Sequence, residues 1–131
     1  ARSAWRCSCI ECVEPLRDSG RVTFVDGEQA IDENLTCVAT PGHTPGHVAI
    51  GIASAGERAV IVGDASHHPA QLLHPDWSPP FDIDPVQSAK SRDRLFDMAI
   101  DEQRLWIAGH WEHPGLGRLV RLDGKRVFQA L

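Results

Sequence analysis

Apolar and polar positions along the chain alternate in short runs bounded by turn residues from Arg21 onward. Val22–Val25 reads as a short strand, Asp26-Gly27 as a hairpin turn and Gln29–Ile31 as the next strand. Leu35–Ala39 is a further strand, stopped by Pro41-Gly42, and Val48–Ala53 is apolar enough to be a buried one. Gly56-Glu57 turns the chain into Ala59–Val62, which runs straight into Gly63-Asp64. One segment has a clear helical signature. Asp84 can cap free amide hydrogens, Pro85 suits the first helical position and Gln87 completes a capping-box-like arrangement. Val86, Ala89, Phe96, Ala99 and Ile100 then fall near one face. Leu105–Ala108 is a strand ending at Gly109-His110, and Gly117–Leu122, Asp123-Gly124 and Arg126–Ala130 form a closing hairpin.

With 131 residues, 42% of them hydrophobic and 24% charged, the chain has the size of one domain, residues 1–131, and can bury a core. A net charge of −5 gives no electrostatic reason to expect nucleic acid as a partner. Apolar runs such as Ala59–Val62 are far too short to span a membrane, and no apolar stretch follows Arg2 and Arg6 as a secretory signal requires. Residues 1–16 show no period and hold Cys7, Cys9 and Cys12 in a C-x-C-x-x-C cluster, with Cys37 apart. This is not the spread, paired pattern of a secreted disulfide scaffold, so the cysteines read as thiols in a reducing, cytoplasmic setting. The alternatives for the cluster are a loose terminal segment and a structural zinc site of four thiolates.

Candidate chemistry gathers at three strand ends. Thr40-Pro41-Gly42-His43, Val62-Gly63-Asp64 and Ala108-Gly109-His110 each set a metal-competent side chain beside a glycine where a strand gives way to a loop. Two imidazoles and a carboxylate suit zinc or another first-row divalent ion. Taken singly, a histidine at a turn is more often a hydrogen-bonded polar residue than a ligand, and Gly-Asp is commonly a turn. Spacing alone leaves both readings open. Between Ser66 and Asp84 runs a long proline-rich loop carrying His67, His68, His74 and Trp77, a length that usually signals function or mobility.

T-P-G-H-T-P-G-H at Thr40–His47, V-G-D at Val62–Asp64 and A-G-H at Ala108–His110 together resemble the metallo-β-lactamase superfamily. Within it, the chain is similar to the hydrolase branch holding glyoxalase II, quorum-quenching lactonases and methyl parathion hydrolase. G-H-W-E-H-P-G-L-G-R-L near the end carries the same likeness. The resemblance implies an α/β fold, the C-terminal half of an αβ/βα sandwich, with a mixed sheet and a flanking helix. It implies that His43 and His110 are metal ligands and that Asp64 is a bridging carboxylate, with Zn as the cofactor, one or two ions in relatives and at most one expected here. His67 takes a pocket-lining position, touching substrate, acting on a proton or supplying a substitute ligand, and His47 has no ligand counterpart. His68, His74 and His113 read as loop or supporting residues, with His68, the loop from Trp77 to Phe81 and Trp111 as further candidates to line a substrate wall. The family's H-x-H-x-D-H run has no equivalent, because no histidine precedes His43.

Two functions follow as expectations. The first is a metal-dependent hydrolase acting on a small-molecule ester, lactone, thioester or aryl phosphoester through a metal-activated water, its site reduced or completed in a dimer. The chain has no tyrosine to assist a leaving group. The second is a non-catalytic half-domain that folds by self-association and keeps the motifs as ancestry. Half a sandwich leaves a sheet face without cover, so a homodimer is expected.

Overall fold

The computed structural model describes residues 13–17 and 19–131. The crowded cysteines at positions 7, 9 and 12, and with them the four-thiolate zinc site, lie outside the described residues. Cys37 is a free, buried thiol within a strand.

Among the described residues seven strands hydrogen-bond in chain order: β1 (Gln29–Ala30), β2 (Leu35–Ala39), β3 (Val48–Ser54), β4 (Glu57–Ile61), β5 (Leu105–Ile107), β6 (Leu116–Leu122) and β7 (Lys125–Ala130). Every neighbouring pair is antiparallel except β4 and β5, which run parallel. A parallel pair cannot be joined by a hairpin. The chain from Val62 to Arg104 therefore crosses over one face of the sheet, carrying the helix with it. A short helix α1 (Glu14–Arg17) precedes the sheet, and α2 (Pro85–Asp101) is the crossover helix. This mixed seven-stranded sheet with its flanking helix is the expected half of the α/β sandwich.

Helix α2 starts where the cap residues placed it. The Asp84 carboxylate accepts the Gln87 N–H at 2.9 Å and Pro85 occupies the first turn. The capping box is not completed, since the Gln87 carboxamide turns forward to Ser91 Oγ at 3.5 Å. Its buried stripe is Ser88, Ser91, Arg92, Leu95, Phe96 and Ala99. Val86, expected on the inner face, is 65% exposed. The stripe is rotated because Ser91 and Arg92 are drawn inward by hydrogen bonds: Ser91 Oγ donates to Pro41 O at 2.6 Å, and Arg92 Nε to Ala65 O at 2.7 Å.

Leu95, Phe96 and Ala99 close on Val60, Trp106 and Leu119 of the sheet to make the core. Phe96 and Trp106 meet at 5.2 Å between ring centroids, and Trp106 continues to Trp111 at 5.4 Å.

Val22–Val25 is not a strand. Residues 21–26 are exposed and unpaired, with Phe24 74% exposed, because β1 is only two residues long and its hydrogen bonds are spent on β2. A short apolar run with no neighbour to pair with does not form a strand, whatever its alternation.

Candidate metal centre

Topology brings the three motif segments to one edge. β2 and β4 are both antiparallel to β3, so they point the same way, and β5 is parallel to β4. The loops leaving β2, β4 and β5 therefore emerge together. The first, Thr40–His47, lies against the start of α2. Gly42 has φ +136°, and a Cβ there would stand 2.2 Å from the Ser88 backbone nitrogen. Only glycine permits that approach and that backbone angle.

Asp64 is the hub. His110 Nε2 lies 2.8 Å and His67 Nε2 3.5 Å from Asp64 Oδ1, while His43 Nε2 faces the other oxygen, Oδ2, at 3.7 Å. The ligand atoms of Asp64, His67 and His110 all lie within 4.8 Å of one another. Two ligands of a tetrahedral zinc are separated by about 3.3 Å, so these spacings fit a divalent ion. The donor set, imidazole plus carboxylate, has the chemistry that zinc accepts. The rings of His67 and His110 stack with centroids 4.7 Å apart.

Electrostatics favour the forms such a site needs. Partial burial raises the Asp64 pKa, but the hydrogen bond to His110 and the charges of His43, His110 and His67 outweigh it, so the carboxyl lies below its ordinary range. Burial, ahead of the neighbouring His110 charge, lowers the His67 pKa and so favours its neutral form. Its Nδ1 is buried with no hydrogen-bond partner among the described residues.

Three contributors were not legible as site residues. His47 does more than hold its own turn: Nδ1 reaches Thr40 Oγ1 at 2.7 Å, and Nε2 accepts the backbone N–H of Asp64 at 3.0 Å. It joins the first motif to the second. Asp82 lies 3.0 Å from His43 Nδ1, and the fully buried Arg92 stands behind Asp82 at 3.4 Å. In sequence Asp82 is one of two acids before a helical proline, and Arg92 is one charge among many on a helix. Neither has a local signal.

A cavity of about 560 Å³ opens over the cluster, lined by His43, Thr44, Asp64, His67, Phe81, Ile83 and His110. Three expected wall residues lie elsewhere. Trp111 is only 5% exposed, packed in the core with its indole N–H donating to Ser66 Oγ at 3.1 Å. Trp77 stacks on His74 at 4.3 Å, and His68 Nδ1 accepts the Ala70 N–H at 3.0 Å to cap a 3-10 turn over Pro69–Leu72. Each side chain has been taken up by local packing; of the expected loop Phe81 stays at the cavity, and Ile83 joins it there. A larger hollow of about 660 Å³ includes Arg58, Glu102, Arg104 and Arg118 in its lining. Glu102 there pairs with Arg104 at 2.7 Å and with Arg58 at 3.1 Å, and the hollow holds no ligating cluster among the described residues.

The sequence profile of the metallo-beta-lactamase superfamily matches residues 13–110. No curated protein matches the chain significantly. Solved structures do. AidC, a dizinc quorum-quenching lactonase in complex with a product, is 24% identical with a TM-score of 0.76, over 86% of this chain and 39% of its own. AbOPH, a hydrolase in the beta lactamase superfamily, is 26% identical with a TM-score of 0.74, over 89% of this chain and 40% of its own. A probable metal-dependent hydrolase from Staphylococcus aureus is 23% identical with a TM-score of 0.71, over 86% of this chain and 42% of its own. The chain thus spans well under half the length of each.

Proposed function

The chain belongs to the metallo-beta-lactamase superfamily, and from that membership we propose that it is a zinc-dependent hydrolase of a small, neutral ester, lactone or thioester. The observation that supports this reading best is the arrangement at Asp64, whose two oxygens face histidines on opposite sides, His110 and His67 on one and His43 on the other. His43, Asp64 and His110 would hold the ion. When bound, zinc supplies Lewis acidity and lowers the pKa of a water toward about 7.

The remaining roles fall to the chain's own groups. Burial lowers the His67 pKa and favours the neutral ring, so its Nε2, beside Asp64, can take a proton from water and return it to a leaving alkoxide or thiolate. Phe81 and Ile83 offer an apolar surface, 57% and 67% exposed, on which the acyl or alkoxy part of a substrate can rest. The cavity lining contains no lysine or arginine, and its carboxylate is negative. An anionic substrate would find repulsion there and no counter-charge, which favours uncharged esters over phosphomonoesters.

The test is turnover of a panel of neutral aryl esters and γ-lactones by the full chain, zinc-loaded and chelator-treated. Hydrolysis that depends on zinc, collapses in Asp64→Asn and falls about 100-fold or more in His67→Ala is the expected result. Equal rates with and without zinc would refute it. Absence of both turnover and zinc binding would favour the non-catalytic half-domain.

A further inference from the structure

His43 is gripped on the side away from Asp64 by a carboxylate that the proposed chemistry does not use. Its Nδ1 lies 3.0 Å from Asp82 Oδ1, and the Asp82 side chain is fully buried. The two segments are docked by backbone. The Ile83 N–H donates to His43 O at 3.1 Å, and the Asp84 N–H to Gly42 O at 2.9 Å. From α2, the fully buried Arg92 donates through Nη2 to Asp82 Oδ2 at 3.4 Å and to Ser88 Oγ at 2.9 Å. Arg92 is itself immobilised by the carbonyls of Ala65 and Pro75, at 2.7 and 2.5 Å.

This surrounding fixes where the proton lies. The Arg92 guanidinium, which stays charged, pairs with Asp82 Oδ2 at 3.4 Å with both side chains fully buried, so Asp82 stands there as the carboxylate of an ion pair. An ionised carboxylate only accepts, so the hydrogen in the contact belongs to His43 Nδ1. A neutral ring with its hydrogen on Nδ1 carries a bare lone pair on Nε2. That lone pair faces Asp64 Oδ2 at 3.7 Å. Two acceptors facing each other with no proton between them form an arrangement that a cation relieves.

We infer that Asp82, anchored by Arg92, is the positioning residue that holds His43 in its Nδ1–H tautomer and aims the Nε2 lone pair at the metal position beside Asp64. The inference deepens the proposed function. Its tautomer half stands on the contacts alone, and its metal half rests on His43 being a ligand.

Asp82→Asn separates the two. Arg92 will keep the amide oxygen, which leaves the NH₂ group to donate toward His43 Nδ1. The ring hydrogen is thereby moved to Nε2, where it blocks a metal. Nitrogen-15 NMR of the zinc-free full chain, at a pH where His43 is neutral, is expected to show Nδ1–H in the wild type and Nε2–H in the variant. Competition with a chromophoric chelator is expected to show zinc affinity about 10–100-fold weaker in Asp82→Asn, with unchanged near-UV circular dichroism.

An Nε2–H tautomer in the wild type would overturn the inference, as would an Asp82→Asn protein retaining both Nδ1–H and wild-type zinc affinity. If the variant does not fold, the wild-type tautomer decides the first half. His43→Ala is the control for the second. Unchanged zinc affinity there would overturn the ligand role of His43 and leave the tautomer result intact.

Discussion

At the scale of single residues, His47 shows how a side chain outside the proposed ligand set organises the site. Its Nε2 accepts the Asp64 N–H, so protonation of the ring breaks the link between two motif loops. Burial outweighs the raising effect of the Thr40 backbone and takes its pKa below the ordinary 6.5. The unfolded chain therefore binds this proton more readily than the native protein. Stability is full above pH 6.5 and is lost as the pH falls through the lower native value. His67, shifted the same way, adds to the slope. Urea midpoints measured downward from neutrality are expected to show this loss. His47→Ala is expected to flatten part of it and to cost about 1–2 kcal/mol at neutral pH by leaving the Asp64 N–H unpaired. A variant with the wild-type slope would contradict the assignment. His43, Asp64 and His110 were legible in sequence because each sits in a short motif at a strand end. Asp82 and Arg92 were not, because their roles depend on a crossover that brings the segment before α2 back against His43, and no local pattern encodes that contact.

At the scale of elements, the first motif loop and the start of α2 form one unit. Gly42 packs against Ser88, Ser91 Oγ bonds Pro41 O, and the Asp84 N–H bonds Gly42 O. Gly42→Ala meets both a 2.2 Å overlap and a backbone angle foreign to alanine. It is expected to destabilise by about 2–3 kcal/mol or more, read by chemical unfolding, and to weaken zinc binding by displacing His43. Asp84→Ala removes only the cap and is expected to cost about 1 kcal/mol. Equal effects of the two would contradict the unit. β2, β3, β6, β7 and the N-terminus of α2 were readable because turn residues and a cap bracket them. The inner face of α2 was misjudged at Val86 because apolar spacing cannot see that Arg92 and Ser88 are buried by hydrogen bonding. Val22–Val25 failed as a strand because pairing depends on a neighbour, not on the run itself.

At the scale of the whole molecule, the helix covers one face of the sheet and an apolar row marks the other. Ile50 pairs with Ile61, Ile61 with Ile107, and Ile107 with Leu116, all on the side away from Trp106 and Val60. Ile61 is 41% exposed. The homodimer expected from sequence is a proposal that rests on this row. Light scattering at micromolar concentration is expected to give the mass of two chains, reduced to one by Ile61→Asp. A wild-type monomer would refute it. No helix among the described residues is long and apolar enough to cross a membrane. The central claim, that His43, Asp64 and His110 hold a metal ion in this chain, is tested most directly by metal content. Plasma mass spectrometry on the full chain, purified without chelator beside His110→Ala, is expected to find about one equivalent of zinc or more per chain, lost in the variant. No bound metal in either protein, even after incubation with zinc, would contradict the account.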